Sequence, residues 1–158
     1  MRTEMPDIYR EMIVDPSAWT PQDLATDRNW EMTLNDTQAG ELVTALQQVT
    51  EQGLSLPEIT AENFKIDTCA SVTSAIREQL RTGRGMALLH NFPVADQSRQ
   101  DIERMYWGFC AHLGTGVTQN SDSTLIHYAT EGKLRLTKVR AGSVTPARSP
   151  YTLIWPTA

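Results

Sequence analysis

An apolar run closed by glycine on one side and proline on the other lies between two helix-like segments, and this order of elements most constrains the fold. The run reads "GRGMALLHNFPV", residues 83–94. Its continuous apolar stretch predicts a buried strand over Met86–His90, and Asn91 and Pro93 predict the turn after it. Helices before and after a buried strand indicate an α/β chain.

Three segments show the apolar period of amphipathic helices, predicted at Thr37–Gln52, Thr68–Thr82 and Ser98–Leu113. Their apolar stripes are Leu42, Leu46 and Val49; Val72, Ile76 and Leu80; and Ile102, Met105, Phe109 and Leu113. The predicted ends are Asn35 or Asp36 and Gly53 for the first helix, Gly83 for the second, and Ser98, Asp101 and Gly114 for the third.

The upstream stretch "AWTPQDLATDRNWEMTL" is predicted to be a loop anchored by Trp19 and Trp30. A strand is also expected in "TLIHYAT", residues 124–130.

Composition is that of an ordinary globular domain. The chain has 158 residues, of which 40% are apolar and 21% charged, and its net charge is −5. The acidic balance argues against nucleic acid and against a membrane surface as partner. Because there is neither a membrane-length apolar run nor an apolar signal core, we expect a cytoplasmic protein. Cys69 and Cys110 lie among apolar residues, which predicts buried, reduced thiols.

Candidate chemistry is sparse when the residues are taken alone. His90, His112 and His127 have no second ligand at a metal-like spacing, and there is no His-x-Asp pair. The glycines of "TGRG" come after a helix and before a strand, the reverse of the order that a dinucleotide-binding loop requires. The loop "TQNSDS" offers hydroxyls and amides for a polar ligand, but when its residues are taken alone a solvated turn explains it better.

Three stretches together resemble the N-terminal part of TauD/TfdA-like (clavaminate-synthase-like) dioxygenases. They are "TGRGMALLHNFPV", "DIERMYWGFCAHLGTGVTQN" and "LIHYATEGKLR". The resemblance covers about residues 17–135. It implies a helical N-terminal part leading into an incomplete double-stranded β-helix (jelly roll).

The resemblance also implies chemistry. Enzymes of this family use iron(II) and 2-oxoglutarate, and hold the metal with a His-x-Asp pair and a distant histidine. This chain offers none of these ligands, so no metal or catalytic residue is carried over, and we expect the chain as written to bind neither cofactor. The substrate side is assigned to the loop Thr118, Gln119, Asn120 and Ser121.

Charge and pattern change near the end of the chain. Every acidic residue lies at or before Glu131, and the tail "LTKVRAGSVTPARSPYTLIWPTA" has no regular period. A mobile basic tail or natural divergence would account for the change. Read one base out of step, however, with suitable synonymous codons, its end can encode "LHIDLAD", which contains a His-x-Asp pair. We therefore expect residues 1–135 to be the N-terminal portion of a dioxygenase domain and residues 136–158 to be a frameshifted tail.

This interpretation leaves two functions open. The chain is a truncated member of the dioxygenase family, whose parent activity is hydroxylation or desaturation of a small polar substrate. The alternative is a non-catalytic fragment or small interaction domain. Since most jelly-roll strands would be missing, we also expect the helices to bury their apolar stripes against little. The sequence does not predict the oligomeric state.

Overall fold

The computed structural model of the chain describes residues 14–117 together with Leu125 and Ile126. The chain divides into two units, residues 1–114 and 115–158, and every described helix and strand lies in the first unit. The predicted strand at 124–130 lies outside the described residues except for Leu125 and Ile126, which form a bend and not a strand. The predicted tail at 136–158 also lies outside them. The jelly roll and the boundary at residue 135 remain predictions.

Four α-helices and two short strands make up the described part of the first unit. In chain order they are α1 Pro21–Thr26, β1 Glu31–Thr33, α2 Asp36–Glu51, α3 Ala70–Arg81, β2 Leu88–His90 and α4 Arg99–Ala111. Two 3₁₀ turns, Leu56–Glu58 and Asp67–Cys69, connect α2 to α3. None of the helices among the described residues has the length and apolar character needed to cross a membrane.

Helix α2 begins and ends where the sequence predicts. The Asn35 side chain accepts a hydrogen bond from the Gln38 backbone N–H at 2.9 Å, and the Gln38 side chain accepts one from the Asn35 N–H at 3.0 Å. This reciprocal capping box satisfies two backbone donors that a helix start otherwise leaves unpaired. Gly53 follows the helix with φ +67°, a conformation that favours glycine.

Helix α4 is also confirmed, but its buried surface is wider than the predicted stripe. Ser98 caps it by accepting a hydrogen bond from the Asp101 N–H at 3.2 Å. Besides the predicted Met105 and Phe109, the helix buries Trp107, Gly108 and Cys110. It does so because α4 packs against both α2 and the 3₁₀ turn at 56–58.

The core lies between α2, α4 and the segment that joins α2 to α3. Its fully buried side chains are Leu34, Leu42, Val49, Phe64, Ile66, Cys69 and Met105. The expectation that the helices would bury their stripes against little is therefore wrong for α2 and α4. The connecting segment supplies the missing apolar partners, Phe64 and Ile66, which the helical period did not reveal. On α3, Ile76 is buried whereas Val72 and Leu80 are only half-buried.

The predicted loop before α2 contains a helix and a strand. Helix α1 has a capping box between Thr20 and Asp23, and Pro21 occupies its first position. Strand β1 pairs in parallel with β2, with Glu31 opposite Leu88 and Thr33 opposite His90. Three residues are too few to show an alternating pattern, which is why the sequence did not predict β1.

Strand β2 is shorter and more exposed than predicted. It spans Leu88–His90 and not Met86–His90, and the Leu88 side chain is 43% exposed. The prediction of a buried strand is wrong here because, within the described residues, β2 pairs with β1 alone. The crossover between the two strands runs through α2 and α3, as parallel pairing requires.

Candidate functional site

The loop assigned to the substrate lies outside the described residues. Thr118, Gln119, Asn120 and Ser121 are therefore neither brought together nor separated by the structure. Their role remains a prediction.

The two described histidines have structural partners. His112 Nε2 lies 2.7 Å from the Phe64 carbonyl oxygen, and the Arg77 guanidinium donates to the His112 carbonyl at 2.6 Å. His90 Nε2 lies 3.2 Å from Glu31 Oε2. Glu31 also accepts both hydrogen bonds of the Arg28 fork, and this contact lowers the pKa of the Glu31 carboxyl. Across residues 14–117, 125 and 126, no three His, Cys, Asp or Glu side chains converge as a metal site would require.

The two thiols are confirmed as free and buried. Burial raises the pKa of Cys69 to about 11 and that of Cys110 to about 12. A thiol is nucleophilic only as the thiolate, so neither cysteine is suited to covalent catalysis near neutral pH.

A shallow cleft lies between the N-terminal segment and the end of α3. Its volume is about 240 Å³. The cleft is lined by Pro16, Asp27, Asn29, Gln79, Gly83 and Arg84. Two of these side chains carry opposite charges and two carry amides, so the cleft can recognise a polar group.

Arg84 is the most constrained charged side chain of this cleft. Its Nη2 donates to the Asp23 carbonyl at 3.1 Å and approaches Asp27 Oδ2 at 3.4 Å. Its backbone carbonyl accepts a hydrogen bond from Trp19 Nε1 at 3.1 Å, which confirms Trp19 as an anchor of the upstream segment. The side chain is only 14% exposed, and its Nε is buried without a hydrogen-bond partner.

The glycines on either side fix the backbone of Arg84. Gly85 has φ +72°, and its N–H donates to the Gln79 carbonyl at 3.0 Å. At Gly83, a Cβ would lie 2.9 Å from the Gln79 Cα and closer still to its side chain. Any side chain at either position would therefore move the loop. The sequence pattern predicts Gly83 as the end of a helix but does not predict that Gly83 and Gly85 fix the backbone of Arg84; the paired glycines around a single arginine were the available signal.

Comparison with known proteins finds a distant match. No family model matches the chain. A curated protein named FR-33289 synthase, from Streptomyces rubellomurinus (strain ATCC 31215), is 23% identical over 116 residues. The aligned region covers 73% of this chain but only 34% of that protein, so the chain spans about a third of its relative's length. The similarity is therefore distant and partial.

Proposed function

We propose that the chain is the N-terminal part of an oxidative enzyme of the iron(II)- and 2-oxoglutarate-dependent type, acting on a small polar substrate. The observation that carries the proposal is the similarity to FR-33289 synthase over 116 residues. The resemblance of residues 83–135 to TauD/TfdA-like dioxygenases supports the same class. The aligned region and residues 83–135 overlap in the chain.

The described residues contribute a scaffold to such an enzyme. They hold no convergent set of metal ligands, so they do not fit an iron site, and no reaction step is assigned to them. What they provide is the packed α2–α4 core and the parallel β1–β2 pair. Iron(II) and 2-oxoglutarate would require residues encoded elsewhere.

Those residues are proposed to lie in the displaced reading frame after Arg135. In that frame the end of the tail can encode a His-x-Asp pair, the arrangement that places an imidazole and a carboxylate on one side of a metal. The first test is to resequence genomic DNA and transcript from the codon of Gly132 onward. We expect one base to be missing or extra, and the restored frame to continue well past the His-x-Asp pair.

The second test is biochemical and compares two chains. Anaerobic titration with iron(II) and 2-oxoglutarate, followed by visible charge-transfer absorption, should show saturable binding to the restored-frame protein. The matched control replaces the restored His-x-Asp histidine by alanine, which removes one ligand and should abolish the absorption. Succinate formation with oxygen then tests turnover.

Each of the two tests has an outcome that would contradict the proposal. If the sequence stands as printed and the transcript closes after Ala158, the restored-frame enzyme does not exist. The 158-residue chain would then be a non-catalytic fragment or small interaction domain, the second function that the sequence allows. Iron binding to the restored-frame protein that survives loss of the histidine would also contradict the proposed ligand set.

A further inference from the structure

We infer that residues 14–27 form a strap that can detach from the rest of the first unit, with Arg84 as its clasp. The strap contains α1 and ends just before Arg28. The inference does not depend on the oxygenase proposal, because it uses no candidate catalytic residue. It rests on where the hydrogen bonds of the strap end, on the exposure of its side chains and on an unpaired donor at the clasp.

The hydrogen bonds of the strap converge on one residue. The Trp19 indole Nε1 donates to the Arg84 carbonyl at 3.1 Å. Arg84 Nη2 in turn donates to the Asp23 carbonyl at 3.1 Å and to Asp27 Oδ2 at 3.4 Å. In the described part of the chain, Arg84 is the one residue beyond Trp30 that hydrogen-bonds to the strap. Loss of the contacts at Arg84 would therefore release the whole segment.

Apolar packing adds little to these bonds. Helix α1 buries no residue, and Trp19 is 39% exposed. Leu24 is half-buried, and every other residue of the strap is exposed. Because burial of apolar surface is the main force that holds one element against another, the polar contacts at Arg84 decide whether the strap stays closed.

Residues 28–29 are the hinge of this strap. From Trp30 onward the sheet holds the chain, since the Trp30 carbonyl accepts the Leu88 N–H at 2.9 Å and β1 follows directly. On the opposite side of the cleft, the glycines that flank Arg84 fix its backbone. Movement therefore falls on the strap and not on the loop that carries the clasp.

The clasp is incompletely satisfied when the strap is closed. The Arg84 side chain is 14% exposed, and its Nε is buried without a hydrogen-bond partner. A buried donor without a partner raises the free energy of the closed state, and water satisfies that donor once the strap opens. The Asp27 carboxylate is half exposed, so solvent weakens its attraction to Arg84. Opening therefore costs less free energy than three fully formed hydrogen bonds would imply.

Opening dismantles the cleft beside α3. Two of its lining residues, Pro16 and Asp27, belong to the strap, whereas Gln79, Gly83 and Arg84 remain with α3 and its end. The closed state thus holds a cleft of about 240 Å³, and the open state presents the Arg84 guanidinium to solvent. A ligand or partner that binds one of these states more tightly shifts the balance between them. The strap is in this way a two-state device.

The test is native-state hydrogen exchange of the full 158-residue chain, followed by NMR. The probes are the Trp19 indole N–H and the backbone amides of Leu24 and Asp27, which are hydrogen-bonded in the closed strap. These amides exchange once the strap detaches, because an isolated helix of six residues is not stable in water.

Arg84→Gln should accelerate exchange at all three probes by about tenfold, the effect of losing a charged hydrogen bond, and leave the amides of α2 and α4 unchanged. The carbonyl that accepts the Trp19 bond belongs to the backbone and is kept in this variant. Faster exchange at Trp19 would therefore show that the Arg84 side chain holds the strap as a unit.

Arg81→Gln is the matched control. Arg81 is 73% exposed and its ion pair lies within α3, so its loss should leave exchange at Trp19 unchanged. Trp19→Phe is the second variant, because it removes the indole donor and should accelerate exchange at Leu24 and Asp27. It decides the matter if Arg84→Gln disturbs the whole fold, which faster exchange throughout α2 and α4 would show.

Three results would overturn the proposal. One is exchange of the Trp19 indole at the rate of the core amides in the unsubstituted chain, which would place the strap in the cooperative core. Another is unchanged exchange at the three probes in a folded Arg84→Gln variant, or in Trp19→Phe at the two amides. The third is equal acceleration by Arg81→Gln and Arg84→Gln, since that would show a general effect of charge.

Discussion

At the scale of single residues, two helical glycines should respond to alanine with opposite signs. A Cβ at Gly108 would lie 2.4–2.7 Å from ring atoms of the fully buried Phe64. Overpacking of this kind costs about 1–3 kcal/mol, which outweighs the helix-propensity gain of about 1 kcal/mol. We expect Gly108→Ala to lower the free energy of unfolding by up to about 2 kcal/mol, measured by urea denaturation.

Gly40 provides the matched control for that substitution. It lies on the exposed side of α2, and nothing lies within 4 Å of a Cβ built there. Gly40→Ala should therefore raise the free energy of unfolding by up to about 1 kcal/mol. If both variants were stabilised, the close contact between α4 and Phe64 would be wrong.

Because the two thiols are buried, we expect the folded chain to lose stability at alkaline pH. The pKa of Cys69 is raised by burial to about 11 in the folded chain, whereas an unfolded cysteine titrates near about 8.5. A raised pKa means that the stabilisation is fully present below about pH 8.5 and is lost as the pH rises toward about 11. Urea unfolding at about pH 7.5, 9 and 10 should show this decline.

Thiol labelling at about pH 8 checks the same prediction independently. A disulfide reagent should react with both cysteines in urea but only slowly in the native chain, because native reaction requires opening of the core. The variant carrying Cys69→Ala and Cys110→Ala, although less stable at every pH, should lose less of its stability between about pH 7.5 and 10. Rapid native labelling would contradict the buried placement of Cys69 and Cys110.

At the scale of the element, the Asn35 cap of α2 contributes to stability in a way that can be measured separately from the packing of the helix. Asn35→Ala removes the acceptor for the Gln38 N–H and should cost about 1 kcal/mol of stability. Asn35→Asp keeps an oxygen at the same place beside the positive helix start and should retain most of the stability. Thermal or urea denaturation of the two variants measures the difference, and an equal loss in both would exclude the cap as the cause.

The same elements show what could be predicted from the sequence. Helices α2, α3 and α4 were predicted because a long apolar period and local caps such as Asn35 and Ser98 are encoded within a few residues. Strand β1 was missed because its three residues are defined by pairing with β2, a partner more than 50 positions away. Trp107 was missed for a similar reason: its Nε1 bonds the Ile59 carbonyl, and no local pattern signals that contact.

The features of the candidate site also differ in whether the sequence alone could predict them. The buried thiols could be inferred from local context and are confirmed. The cleft at Arg84 could not be predicted, because it exists only where the N-terminal segment meets the end of α3. The substrate loop at 118–121 stays a prediction, since it lies outside the described residues.

At the scale of the molecule, the core and the N-terminal segment should differ in the free energy needed to open their backbone amides to solvent. Leu42, Val49 and Met105 are fully buried between α2 and α4, whereas α1 buries no residue. Amides in α2 and α4 should therefore exchange with solvent only through global unfolding, and those of α1 through local opening. Hydrogen exchange followed by NMR or mass spectrometry distinguishes these two groups.

The Asn35→Ala variant turns that contrast into a quantitative test. If α2 and α4 open only by global unfolding, their protection should fall by the same free energy that denaturation measures for the variant, about 1 kcal/mol. The protection of α1 should not change, because its opening leaves the α2 cap intact. Uniform protection across α1, α2 and α4 would instead show that the N-terminal segment belongs to the same cooperative unit as the core. In that case Trp19 and Arg84 would join the two more firmly than their hydrogen bonds suggest.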